Sequence, residues 1–119
     1  VELNKNSSYL PYVLGRLFAV LEAVQNAANP SISTTIRDRY FNSASSTPSN
    51  VFPTLIKLAQ KHLQKMNDKQ EVYYNRQITD LMSRIQQPFP KRMTLPEQGA
   101  FELGYYHQTQ ERFTKKEEV

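Results

Sequence analysis

The 119-residue sequence has no cysteine, no tryptophan, three glycines and two histidines. Without cysteine there can be no disulfide framework, thiolate nucleophile, cysteine-ligated zinc or iron–sulfur centre, and the composition is compatible with a reducing cytosol. The glycines, Gly15, Gly99 and Gly104, stand singly, so no glycine-rich phosphate loop exists; Gly99 and Gly104 read as small residues that permit close helix packing. Long apolar runs are missing too. The best stretch, Val13 to Val24, is broken by Gly15, Arg16 and Glu22 and falls short of the roughly 20 residues of a membrane span. Pro11, a lone preceding Lys5 and the lack of a small-residue cleavage site argue against a signal peptide. The first residue is Val1, which reads as a piece of something longer or as initiation at a valine codon.

Catalytic constellations are absent as well. His62 and His107 lie far apart, with no metal-ligand spacing around either, and both read as helix-face residues. Hydroxyls are abundant but none has a base-bearing partner pattern, and no two carboxylates can be placed in one site. The expectation is a chain without catalytic residues, metal site or cofactor. A chain of this length buries roughly two thirds of its unfolded surface, enough for one core but not for a separately scaffolded active site.

What is present is helical periodicity. It predicts an all-α protein, a compact bundle of about five helices in a single domain over 1–119, with an ordered core at about 9–113. The first helix is expected from Tyr9 to Ala28, capped by Ser8, with the stripe Leu10, Leu14, Leu17, Leu21 and Val24 inside. A short second helix spans Thr34 to Ser43, and Ser43 to Ser46 reads as a loop. The third runs from Thr47-Pro48 to Met66, with Pro53 delaying or kinking its first turns and Phe52, Ile56, Ala59, Leu63 and Met66 buried. A capping box with Asp68 as cap opens the fourth, to about Gln86, and Thr94-Leu95-Pro96-Glu97 opens the fifth, to about Phe113. The charged tail from Thr114 is expected to fray.

Charge is the feature that points outward. There are 15 Lys and Arg against 11 Asp and Glu, a formal net charge of +4. Residues 1–66 hold 7 basic and 3 acidic side chains, whereas residues 67–119 hold 8 of each, so the excess lies in the first three helices. Lys57, Lys61 and Lys65 recur every four residues, opposite the apolar stripe of the third helix, and no acidic residue lies between Val51 and Asn67. Such a ridge is either a solvated face or a surface for an anion. Arg37 and Arg39 flank Asp38, an arrangement that either grips phosphate or forms an internal salt-bridge clamp. Arg76 and Arg84 extend the positive charge along the fourth helix, with Asp80 between them at i,i+4 spacing. The seven tyrosines include the pairs Tyr73-Tyr74 and Tyr105-Tyr106. Adjacent helical residues point about 100° apart, so one of each pair can be core while the other faces a base or a protein partner.

Longer blocks carry a family resemblance. Leu14-Gly-Arg-Leu-Phe-Ala-Val-Leu-Glu22, Thr35-Ile-Arg-Asp-Arg-Tyr-Phe41, Ser43-Ala-Ser45, Thr47-Pro48, Val51-Phe-Pro53 and Glu97-Gln-Gly-Ala-Phe-Glu-Leu-Gly-Tyr-Tyr-His-Gln108 closely resemble the C-terminal region of the large subunit of type I-C CRISPR Cascade. In that family this region is also made as a separate small subunit by internal translation, and the Val1 start and the length look like that product. The resemblance implies a noncatalytic cytoplasmic subunit of a prokaryotic RNA-guided surveillance complex. Its partners would be the backbone subunits, the large subunit and a second copy of itself. The displaced non-target single-stranded DNA would be held directly and the guide RNA met indirectly, with no membrane involved. Lys57, Lys61, Lys65, Arg37, Arg39, Arg76 and Arg84 are the expected nucleic-acid-binding residues, chosen by helix geometry. Gly15, Phe18 and the 97–108 block are expected to serve packing or assembly. The alternative is a structural spacer whose basic surface meets protein or guide RNA rather than DNA.

Overall fold

The computed structural model describes residues 3–118, with side chains through residue 113. The chain forms five helices, α1 (Leu10–Ala28), α2 (Ile36–Ser46), α3 (Pro48–Gln64), α4 (Asp68–Ser83) and α5 (Leu95–Glu118), with no strand among the described residues. The architecture is an all-α bundle. Its centre is α1, whose residues from Pro11 to Gln25 are all buried, and α2, α3, α4 and α5 each pack on it. The expected stripe is therefore only part of the buried surface. Val13, Phe18, Ala19, Val20 and Ala23 are buried too, because a helix that is apolar nearly all round belongs in the middle of a bundle.

Gly15 and Gly104 set the closest contact, between α1 and α5. A Cβ on Gly15 would collide with the Phe101 carbonyl, and one on Gly104 with the Tyr12 carbonyl, so the two backbones touch. Gly99 differs: nothing lies within 4 Å of the place its Cβ would take, so it is not a packing glycine. Phe18, beside this contact, meets Phe41, Phe52, Phe101 and Tyr105 edge-on at centroid distances of 5.6, 6.5, 5.9 and 5.9 Å. Edge-to-face rings at these separations add to the burial term.

Helix boundaries depart from the sequence reading where a polar side chain found a different partner. No Ser8 cap forms on α1; Tyr9 holds the cap position without a side-chain bond. Thr35 caps α2, and Asp38 completes the box by accepting from the Thr35 amide at 2.9 Å. The segment Ser43 to Ser46 is helix, not loop. Ser45 and Ser46 donate to the Asn42 carbonyl at 2.9 and 2.8 Å, which satisfies their hydroxyls inside the helix, and Ala44 and Ser45 are buried. Helix α3 continues through Pro53 and ends at Gln64, where Lys65 and Met66 close a tighter turn onto His62 and Leu63. Leu55, unplanned in the sequence reading, is buried with Phe52, Ala59 and Leu63, while Ile56 is half-buried.

The cap of α4 is Asn67, which accepts from the Gln70 amide at 2.9 Å, and not Asp68; the helix stops at Ser83 rather than Gln86. The capping box at Thr94 forms as expected, with Glu97 accepting from the Thr94 amide at 2.8 Å. Helix α5 passes Phe113 to Glu118, and the side chains of the expected tail lie outside the described residues. The connector before α5 is tied down. Ser49 donates to the Pro90 carbonyl, Met93 to the Ser46 carbonyl, and Phe89 stacks on Phe52 at 5.3 Å.

The glycine contacts give a paired prediction. Gly15→Ala or Gly104→Ala is expected to destabilise the protein by at least about 1–3 kcal/mol through overpacking, despite the better helix propensity of alanine. Gly99→Ala, in open space within the same helix as Gly104, is expected to stabilise by up to about 1 kcal/mol. Urea unfolding of the three variants measures both, and equal effects at Gly104 and Gly99 would refute the backbone contact.

Candidate nucleic-acid interface

Helix α3 buries Phe52, Leu55, Ala59 and Leu63, and its 100° step then places Lys57, Lys61 and Lys65 outward. All three are exposed, and no ion pair among the described residues involves them. The ridge carries positive charge on the surface without a counterion among the described residues. His62 lies on the same helix, half-buried, with its Nε2 buried and without a hydrogen-bond partner among the described residues. Burial, with Lys65 adding repulsion, pushes the imidazole below its ordinary value of 6.5. It stays neutral at neutral pH.

The arginines are dispersed over other faces. Arg37 lies against α5, where its Nη2 donates to the Tyr106 hydroxyl at 3.1 Å and its guanidinium faces the Phe41 and Tyr105 rings at 4.9 and 5.3 Å. Asp38 is used by the α2 cap, so the Arg37-Asp38-Arg39 clamp does not form; Arg39 is exposed. Arg76 is exposed on α4, and Arg84 pairs with Asp80 at 3.5 Å, as the i,i+4 spacing suggests. No hydrogen bond or ion pair among the described residues joins Arg37 or Arg84 to the lysine ridge.

Arg84 has a neighbour that sequence reasoning passed over. Arg16, which interrupts the apolar run of α1, is buried, donates from Nε to Gln108 Oε1 at 2.9 Å, and leaves Nη1 without a hydrogen-bond partner among the described residues. Burial, then the Arg84 charge, pushes its pKa down from the usual arginine value. The signal was in the sequence as a charge within an apolar stretch, but its partner lies 92 residues away.

Glu22 is the other buried charge of α1. It accepts from the Tyr105 hydroxyl at 2.5 Å and the Thr35 hydroxyl at 3.2 Å, while Gln25 accepts from the Ile36 amide at 2.8 Å. These bonds fix α2 and α5 to α1. Burial, together with Glu22, drives the Tyr105 hydroxyl above the ordinary tyrosine range, so it remains a donor. His107 is likewise internal in role, with Nδ1 at 2.7 Å from the Tyr12 hydroxyl. Of the tyrosine pairs, Tyr105 is core and Tyr106 half exposed, and Tyr74 is half-buried beside an exposed Tyr73.

No helix is long and apolar enough to cross a membrane among the described residues, and none of their His, Asp and Glu side chains form a group that could hold a metal ion. His62 supplies a pH test. The unfolded chain takes up a proton near pH 6.5, whereas the folded one resists it, so stability falls as pH drops through and below that value. The urea midpoint is expected to fall more between pH 7 and pH 5.5 in the native protein than in His62→Gln; equal falls would show that His62 binds no proton linked to unfolding.

Comparison with curated proteins returned no match. The family model for CRISPR-associated protein (Cas_Csd1) matches residues 1–113, nearly the whole chain, and its span takes in the glycine contact, the buried charges of α1 and the lysine ridge alike. The chain belongs to the Cas_Csd1 family of CRISPR-associated proteins.

Proposed function

We propose that the protein is a noncatalytic small subunit of a type I-C Cascade, in which it bridges backbone and large subunits and holds the displaced non-target DNA strand without reading its sequence. The observation that carries this reading is the lysine ridge of α3, exposed and without a counterion among the described residues, on a chain of the Cas_Csd1 family. Exchange of a DNA duplex for a guide–target heteroduplex is nearly balanced in energy, so modest phosphate contacts to the freed strand can tip it. Ammonium groups on flexible stems suit that task, since they neutralise phosphates by position and charge alone. Arg39 and Arg76, both exposed, add to the positive surface.

The test is the triple variant Lys57→Glu, Lys61→Glu, Lys65→Glu in the assembled complex. Target binding is expected to weaken, and the slope of log affinity against log salt to become shallower by up to about three. Assembly, followed by native mass measurement, should persist. Unchanged affinity and slope would refute the ridge assignment, and loss of assembly would favour a structural spacer whose charge meets protein or guide RNA.

A further inference from the structure

Helices α4 and α5 both pack on α1 but not on each other, and the gap between them is a groove of ≈ 650 Å³. Its volume lies within the range of ligand pockets. On the α1 side are Ala19, Val20 and Ala23, whose short side chains form a smooth apolar floor. One wall carries Tyr73 and Tyr74 of α4, and the other Arg112 and Phe113 of α5, with the guanidinium 4.7 Å from the Phe113 centroid. Tyr73 and Phe113 are 52% and 49% exposed, so part of each ring is open to solvent at the groove.

The polar lining narrows the ligand. Asn26, Gln77, Gln108 and Thr109 supply neutral donors and acceptors, Arg112 supplies positive charge, and no carboxylate among the described residues lines the groove. Gln108 is oriented: its Oε1 is taken by Arg16 Nε, which leaves its amide N–H groups for a ligand carbonyl. Ring faces for stacking and neutral amide edges for hydrogen bonds are what an unstacked base of a single strand requires, and a cation beside them suits its phosphate. A helix of a protein partner would use the apolar floor but has no need of the amides.

We propose that this groove binds an unstacked base of single-stranded DNA between Tyr73 and Phe113, with a base carbonyl accepting from Gln108. The proposal rests on the strand-holding function above but places a base, rather than phosphates, on a face distinct from the lysine ridge. It gives the subunit a hold on the strand that salt does not screen.

The test compares oligothymidylate with an abasic oligonucleotide of equal length and charge, titrated into the 119-residue chain and followed by fluorescence anisotropy and amide NMR shifts. The native protein is expected to bind oligothymidylate about tenfold more tightly than the abasic strand, with shifts at Ala23, Tyr73 and Gln108. Tyr73→Leu/Phe113→Leu, which keeps apolar bulk at two half-exposed sites, is expected to bind both strands alike with the salt slope unchanged; thermal unfolding checks that it is folded. The lysine triple variant should lose affinity for both strands equally. Equal binding of the two strands by the native protein, or shifts confined to the α3 ridge, would overturn the groove and leave the strand-holding function standing. Absence of shifts at ridge and groove alike would overturn both.

Discussion

Contact of backbone on backbone between α1 and α5 at Gly15 and Gly104 sets the spacing on which the rest of the bundle is built. With a side chain at either position the helices would stand further apart. Phe18, Phe101 and Tyr105 would then lose the edge-on packing that fills the centre, and the Tyr105 hydroxyl would no longer reach Glu22. Both residues carry the propensity cost of a helical glycine, of order 1 kcal/mol each, and the close interface is what offsets it.

The same closeness explains why a core helix can hold Arg16, Glu22 and Gln25. Each is buried, and each is bonded to a group from another element: Gln108 of α5, Tyr105 of α5 with Thr35, and the Ile36 amide. A buried polar group without a partner is costly, so these bonds restrict how α2 and α5 can be placed on α1 more sharply than apolar packing would. They also leave α4 as the least embedded helix, with Leu81 its one buried residue. Its exposed Tyr73, and the gap it leaves beside α5, follow from that position.

Much of the fold was legible. The helix count, the Thr94 capping box and the outward lysines came from periodicity and local capping chemistry, which act within a few residues. Errors fell where a local signal had two outcomes. Ser43 to Ser46 has loop composition, yet its hydroxyls found carbonyls one turn back and the segment stayed helical. Asn67 took the cap that spacing gave to Asp68. Gly99 and Gly104 are alike in sequence, and only contact with Tyr12 makes one of them a packing residue. For the candidate site, the ridge was readable because three lysines share one face of one helix. The groove was not, since its walls come from elements that meet only through α1.

By itself the sequence determined an all-helical chain, an excess of positive charge in its first half, and a lysine ridge opposite the buried face of α3, because each depends on composition or on a repeat within one helix. Tertiary structure alone decided that α1 is the central helix and that Arg37 is engaged by Tyr106, and it set the buried Arg16 beside Arg84. It also opened the aromatic groove between α4 and α5. Those features depend on which helices pack together, and the approach of α1 to α5 fixes that through contacts between residues about 90 positions apart.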